Sequence, residues 1–158
     1  MAEVMKRDEQ KLENTWDLTT IFESDEAFDK EYEKLESHLG DEEKFKGKID
    51  SVETLAEALE TERELGDRLG RLFVYAHLKH DQDTSNDTYS ALESRARSLA
   101  VKFNSAWSFL TPEILKLDED TLKTFIQDER LKEFKFDLEI LNNERPHILS
   151  DKEEKLLA

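Results

Sequence analysis

The sequence predicts an all-α fold, a helical domain built around a long antiparallel helical hairpin, and three observations carry that expectation. Only 4 glycines and 2 prolines punctuate the 158 residues, so the segments between breakers are long, as helices require. Apolar side chains recur at spacings of three and four through most of the chain, which is the period of one helical face. Between the two longest such stretches lies Asp81-Gln-Asp-Thr-Ser-Asn-Asp87, which has no aliphatic side chain and is rich in the short polar groups that favour turns.

Residues 1–14 form a polar tail of mixed charge. Trp16, Leu18, Ile21 and Phe22 follow as a dense apolar cluster outside any long periodic segment, which predicts an anchoring turn with Trp16 buried. Ser24 or Asp25 caps a first helix, whose stripe is Phe28, Tyr32, Leu35 and Leu39, and Gly40 ends it. After a loop at Gly47, Ser51 caps a second helix opposite Thr54, with Val52, Leu55 and Leu59 on one face. The stripe weakens at Glu62 and Gly66 and recovers through Leu69, Leu72, Phe73 and Ala76, so the helix runs to about His80, roughly 45 Å at 1.5 Å per residue. Gly66 and Gly70 allow a bend or a close helix crossing.

The chain reverses at residues 81–87, and a third helix carries the clearest stripe: Tyr89, Leu92, Ala96, Leu99, Phe103, Ala106 and Leu110. Two long helices joined by a short polar turn make the antiparallel hairpin. Thr111-Pro112-Glu113 reads as a further helix start, with Thr111 capping and Pro112 first in the helix. Leu122, Phe125 and Ile126 form a short element after Asp118 to Asp120. Leu131, Phe134, Leu138 and Leu141 give another stripe, which Phe136 and Ile140 widen, so that helix is expected to be well buried. Ser150 and Glu153 have capping-box spacing, but only eight residues follow Ser150. The expected organisation is a tail at 1–14, one helical domain at 15–149, and at 150–158 the start of a helix truncated by the end of the sequence, in a chain that continues.

Composition narrows function. Asp and Glu number 39 against 23 Lys and Arg, a formal net charge of -16, and that field repels phosphate backbones, so no nucleic acid partner is expected. The absence of Cys excludes thiolate catalysis, disulfides and Cys-based zinc sites. No stretch approaches the ~18 apolar residues of a membrane span, and the N-terminus lacks the apolar core of a signal peptide, so a cytoplasmic protein without membrane association is expected.

Candidate chemistry is sparse. Asp81, Asp83, Ser85 and Asp87 fall at positions 1, 3, 5 and 7 of a calcium loop, but position 6 is Asn86 instead of glycine and position 12 is Leu92 instead of glutamate, so a capped turn is expected. His77 and His80 stand three apart, whereas a metallopeptidase helix needs His-Glu-x-x-His, with histidines four apart. They read as ordinary histidines near a helix end; His38 and His147 are isolated. Phe73, Tyr75, Phe103, Trp107 and Phe109 read as core rather than as a groove. The scattered glycines exclude a phosphate-cradling loop or a Gly-x-Ser-x-Gly elbow. No catalytic, cofactor-binding or metal residue is therefore assigned in this segment.

Four ordered words carry a resemblance: Trp16-Asp-Leu18, Tyr75-Ala-His-Leu-Lys-His-Asp-Gln-Asp-Thr84, Pro112-Glu-Ile114 and His147-Ile-Leu-Ser-Asp-Lys-Glu-Glu-Lys-Leu-Leu157. From about Thr15 onward the chain resembles the N-terminal region of oligoendopeptidase F, a zinc metallopeptidase related to thimet oligopeptidase. The resemblance implies a longer, mostly helical cytoplasmic parent that cuts short peptides in a channel between two halves. It also implies a zinc motif in the C-terminal half, with no counterpart here to carry over. This segment would form part of the channel wall, with the C-terminal catalytic part and short peptides as partners. The alternative is a free-standing acidic helical adaptor that docks a basic partner.

Overall fold

The computed structural model describes residues 9–145. Every regular element among them is helical. There are six α-helices, α1 (Asp25–Glu36), α2 (Val52–Gln82), α3 (Asp87–Trp107), α4 (Leu110–Lys116), α5 (Glu119–Phe125) and α6 (Lys135–Glu144), with short 3-10 segments before α1, between α1 and α2, and between α5 and α6. They pack as two compact units, residues 9–41 with 63–106 and residues 42–62 with 107–145, so α2 gives its first part to the second unit and the rest to the first.

In the first unit, side-chain pairs fix the direction of each helix. Gly66 lies opposite Phe103, Phe73 opposite Arg97 and His77 opposite Glu93, so α2 and α3 are antiparallel. Tyr75 meets Asp25 and Arg68 meets Glu31, which sets α1 antiparallel to α2. Asp29 pairs with Arg95 at 2.7 Å and Glu36 with Lys102 at 2.7 Å, one step of seven on each helix, so α1 runs parallel to α3. The apolar faces close between these pairs: Phe28, Tyr32 and Leu35 of α1, Leu65, Leu69 and Leu72 of α2, and Leu92, Leu99 and Phe103 of α3 are all buried. That burial, not intrinsic propensity, is what holds the helices.

The capping expectations for α1 and α2 hold. Ser24 Oγ accepts from the Ala27 amide, and Ser51 Oγ accepts from the Thr54 amide. α2 passes without interruption through Gly66 and Gly70. A Cβ on Gly66 would sit 4.0 Å from the Phe103 ring, an ordinary contact, and one on Gly70 would meet nothing within 4 Å. Leu65 restores the stripe that weakens at Glu62, whose half-buried carboxyl is raised above its usual range by burial. Leu39 lies beyond the end of α1.

In the second unit, Gly47 adopts φ +72° and donates its amide to both carboxylate oxygens of Glu113, at 2.7 and 2.9 Å. That backbone conformation favours glycine. Phe45 and Trp107 pack with ring centroids 5.9 Å apart, above a core that includes Leu55, Ile114, Leu122, Leu131 and Leu138. Asp118 caps α5 by accepting from the Thr121 amide at 2.9 Å.

Three expectations need correction. Trp16 is 80% exposed, because Asp17 caps the 3-10 turn Leu18–Thr20 and turns Leu18, not Trp16, into the core. α4 begins at Leu110 with Phe109 at its cap position, so Thr111 does not cap it. Burial of Leu110 and Ile114 draws the start forward, and Pro112 still lies in the first turn, where its missing amide breaks no helical bond. Phe136 and Ile140 are 70% and 42% exposed, since α6 buries only the side of Leu138 and Asn142. The expected helix start at Ser150, like His147, lies outside the described residues.

Candidate functional site

The one convergence of histidine and carboxylate side chains drawn from two helices, among the described residues, sits at the turn end of the hairpin in the first unit. Helical spacing puts His77 and His80 on the face of α2 that meets α3, and the antiparallel register brings Glu93 opposite them. His77 Nδ1 lies 2.9 Å from Glu93 Oε1, and His80 Nδ1 lies 3.3 Å from Oε2. Arg97, one turn along α3, donates its Nη2 to Oε1 at 2.7 Å. Phe73 stacks on His77 with ring centroids 6.1 Å apart and lies under the Arg97 guanidinium, 5.5 Å from its ring centre.

Glu93 is only 12% exposed, and the hydrogen bonds from His77 and then Arg97 hold its carboxyl down at about 2. A carboxylate so firmly ionised is a poor proton acceptor at neutral pH, where a general base works best with a pKa near the ambient value. The cluster is a clamp between α2 and α3. Beside it, Tyr75 is buried and donates its hydroxyl to Asp25 Oδ1 at 2.7 Å, while Lys79 reaches the same oxygen at 3.1 Å. Burial first, then the Asp25 hydrogen bond, pushes the phenol well above its usual range, so it stays neutral and is no nucleophile.

The acidic turn serves local geometry. Asp83 Oδ1 accepts from the Ser85 amide at 3.0 Å, and Asn86 Oδ1 accepts from the Thr88 and Tyr89 amides at the start of α3. Asp81 lies instead beside His77, 3.5 Å away. Among the described residues no group of three or more His, Asp or Glu side chains is arranged to hold a metal ion. His38 pairs with Asp41 at 2.8 Å. Of the aromatic set, Tyr75, Phe103 and Trp107 are buried, while Phe73 and Phe109 are partly so. No described helix is long and apolar enough to cross a membrane.

The Glu93 clamp is the feature that local patterns miss. The signal was present: folding the chain about the middle of residues 81–87 brings the first turns of the third helix back onto residues near His77.

Comparison with known proteins gives a consistent result. A family model described as Oligopeptidase F matches residues 113–158. Oligopeptidase PepF of Bacillus subtilis is 46% identical over 154 residues, which is 96% of this chain and 23% of that protein. Group B oligopeptidase PepB of Streptococcus agalactiae is 37% identical over 90% of this chain and 24% of its own length. The chain thus spans about a quarter of the length of the relatives it matches. Among solved structures, a putative peptidase from Chlamydophila abortus superposes with a TM-score of 0.86 and 25% identity, over 98% of this chain and 27% of that one. The oligoendopeptidase-F of Enterococcus faecium gives 0.73 and 36% identity over 85% of this chain and 27% of its own.

Proposed function

We propose, for a chain that resembles the N-terminal region of oligoendopeptidase F along nearly its whole length, that residues 1–158 are the non-catalytic first part of a zinc-dependent peptidase that hydrolyses short peptides. The observation that carries this reading is the 46% identity to PepF over 96% of the chain. The helical packing of both units agrees with a supporting role.

On this reading, residues 15–149 form a helical domain in the wall of a substrate channel, and 150–158 lead into the catalytic part. The acidic, cysteine-free composition suits a reducing cytoplasm. Zinc, when bound by the parent, would polarise the scissile carbonyl and activate water, and this chemistry is assigned to residues beyond the segment. On this reading the segment contributes a helical surface, with α1 tied to α2 and α3 by ion pairs, that restricts what can approach.

The coding frame past Ala158 tests the proposal. An open frame that reaches His-Glu-x-x-His supports it and removes the free-standing adaptor reading. A stop codon at that point would refute it.

A further inference from the structure

α6 carries apolar side chains on two sides. Leu138 is buried in the core of the second unit, whereas Phe136 is 70% and Ile140 42% exposed. Four residues apart, these two stand one helical turn from each other on the outer side of α6. Lys135 and Glu139, 3.8 Å apart, border them, so an apolar centre has a charged edge. The other large apolar side chains left exposed among the described residues, Trp16, Val74 and Val101, lie singly on the N-terminal turn, α2 and α3. Single exposed side chains need no partner, but a pair on one helix face calls for an account of what covers it.

The size of the face limits its occupant. A stable interface between separate molecules buries ~1,200 Å² or more, of which one phenylalanine and one isoleucine supply a small part. A segment of the same polypeptide needs far less contact, because its tether holds it at an effective concentration on the order of millimolar. The position in the chain fits such a segment. The family match starts at residue 113 and continues through α6 to residue 158, and the chain spans only about a quarter of its relatives. Residues 146–158 reach at most ~45 Å when fully extended, so whatever follows them in a longer chain stays close to α6. We infer that the Phe136–Ile140 face is an internal docking surface, and that its occupant is an apolar surface of the parent chain beyond residue 158. The inference rests on the reading of residues 1–158 as the first part of a longer peptidase. In the parent the two side chains are covered; in the 158-residue chain they are the open half of that contact.

The test compares the parent, expressed from the coding frame that continues past Ala158, with the 158-residue chain. Hydroxyl-radical footprinting read by mass spectrometry reports how open Phe136 is in each. The expected result is a several-fold lower rate of Phe136 oxidation in the parent. Thermal melts supply a second readout: Phe136→Ser with Ile140→Ser should lower the midpoint of the parent clearly more than that of the 158-residue chain, where the face is open. Equal oxidation in the two chains, or an equal effect of the double substitution on both, would overturn the inference and leave the peptidase reading standing. So would protection of Phe136 that fades when the parent is diluted, because a second copy would then be the occupant. A stop codon directly after Ala158 removes the peptidase reading and the inference together.

Discussion

Glu93 of α3 meets His77 of α2, sixteen residues earlier, at 2.9 Å, and this contact sets the register of the hairpin at its closed end. Because Arg97 and His80 share the same carboxylate, removing Glu93 leaves three cationic or protonatable side chains without their common partner. Glu93→Gln should therefore lower the melting temperature more than Glu64→Gln does, as read by circular dichroism.

The same carboxylate gives the clamp an acid dependence. Its carboxyl is held at about 2 in the folded protein, against an ordinary value of 4.5. A depressed folded pKa means that the contribution is complete above the unfolded value and is lost as pH falls toward the folded one. The difference in stability between the native chain and Glu93→Gln should shrink between pH 4.5 and about 2. Thermal melts across that interval measure it, and a difference that grows on acidification would contradict the clamp.

Gly70 is a glycine in an exposed helix interior whose missing side chain would meet nothing. Gly70→Ala should stabilise the protein by ~0.5–1 kcal/mol, since alanine is the better helix former and the added methyl finds open space. Chemical denaturation reads this directly. A loss of stability would mean that α2 needs flexibility at this point.

Core and cap substitutions should separate in size. Leu72→Ala, at a fully buried position between the helices of the first unit, should cost ~2–5 kcal/mol. Ser51→Ala removes one capping bond at the start of α2 and should cost ~1 kcal/mol. Comparable losses in denaturant midpoint for the two would be inconsistent with this packing.

Phe136 and Ile140 share one exposed face of α6. Replacing both with serine should change stability by no more than about 0.5 kcal/mol each, because little apolar area leaves contact. The same replacement should reduce any self-association seen by light scattering, since the two side chains form an exposed apolar patch.

The long helices could be read in the sequence because each carries an apolar stripe, clearest in α3, where Leu92, Ala96, Leu99 and Phe103 declare both a period and a face. Ser24 and Ser51 could be read because capping is a contact within three residues. Trp16 could not, because a residue outside a periodic segment has no phase from which to infer burial. For Phe136 and Ile140 the pattern gave apolar character, but burial depends on which neighbour covers a face, and α6 is covered on one side only. The Glu93 clamp depended on pairing between helices, which local spacing does not specify.

The proposed division of labour is tested most directly by assaying the purified 158-residue chain for bound zinc and for cleavage of an internally quenched peptide. The expected result is no retained zinc and no cleavage above background. Stoichiometric zinc together with chelator-sensitive cleavage would contradict the account at its centre.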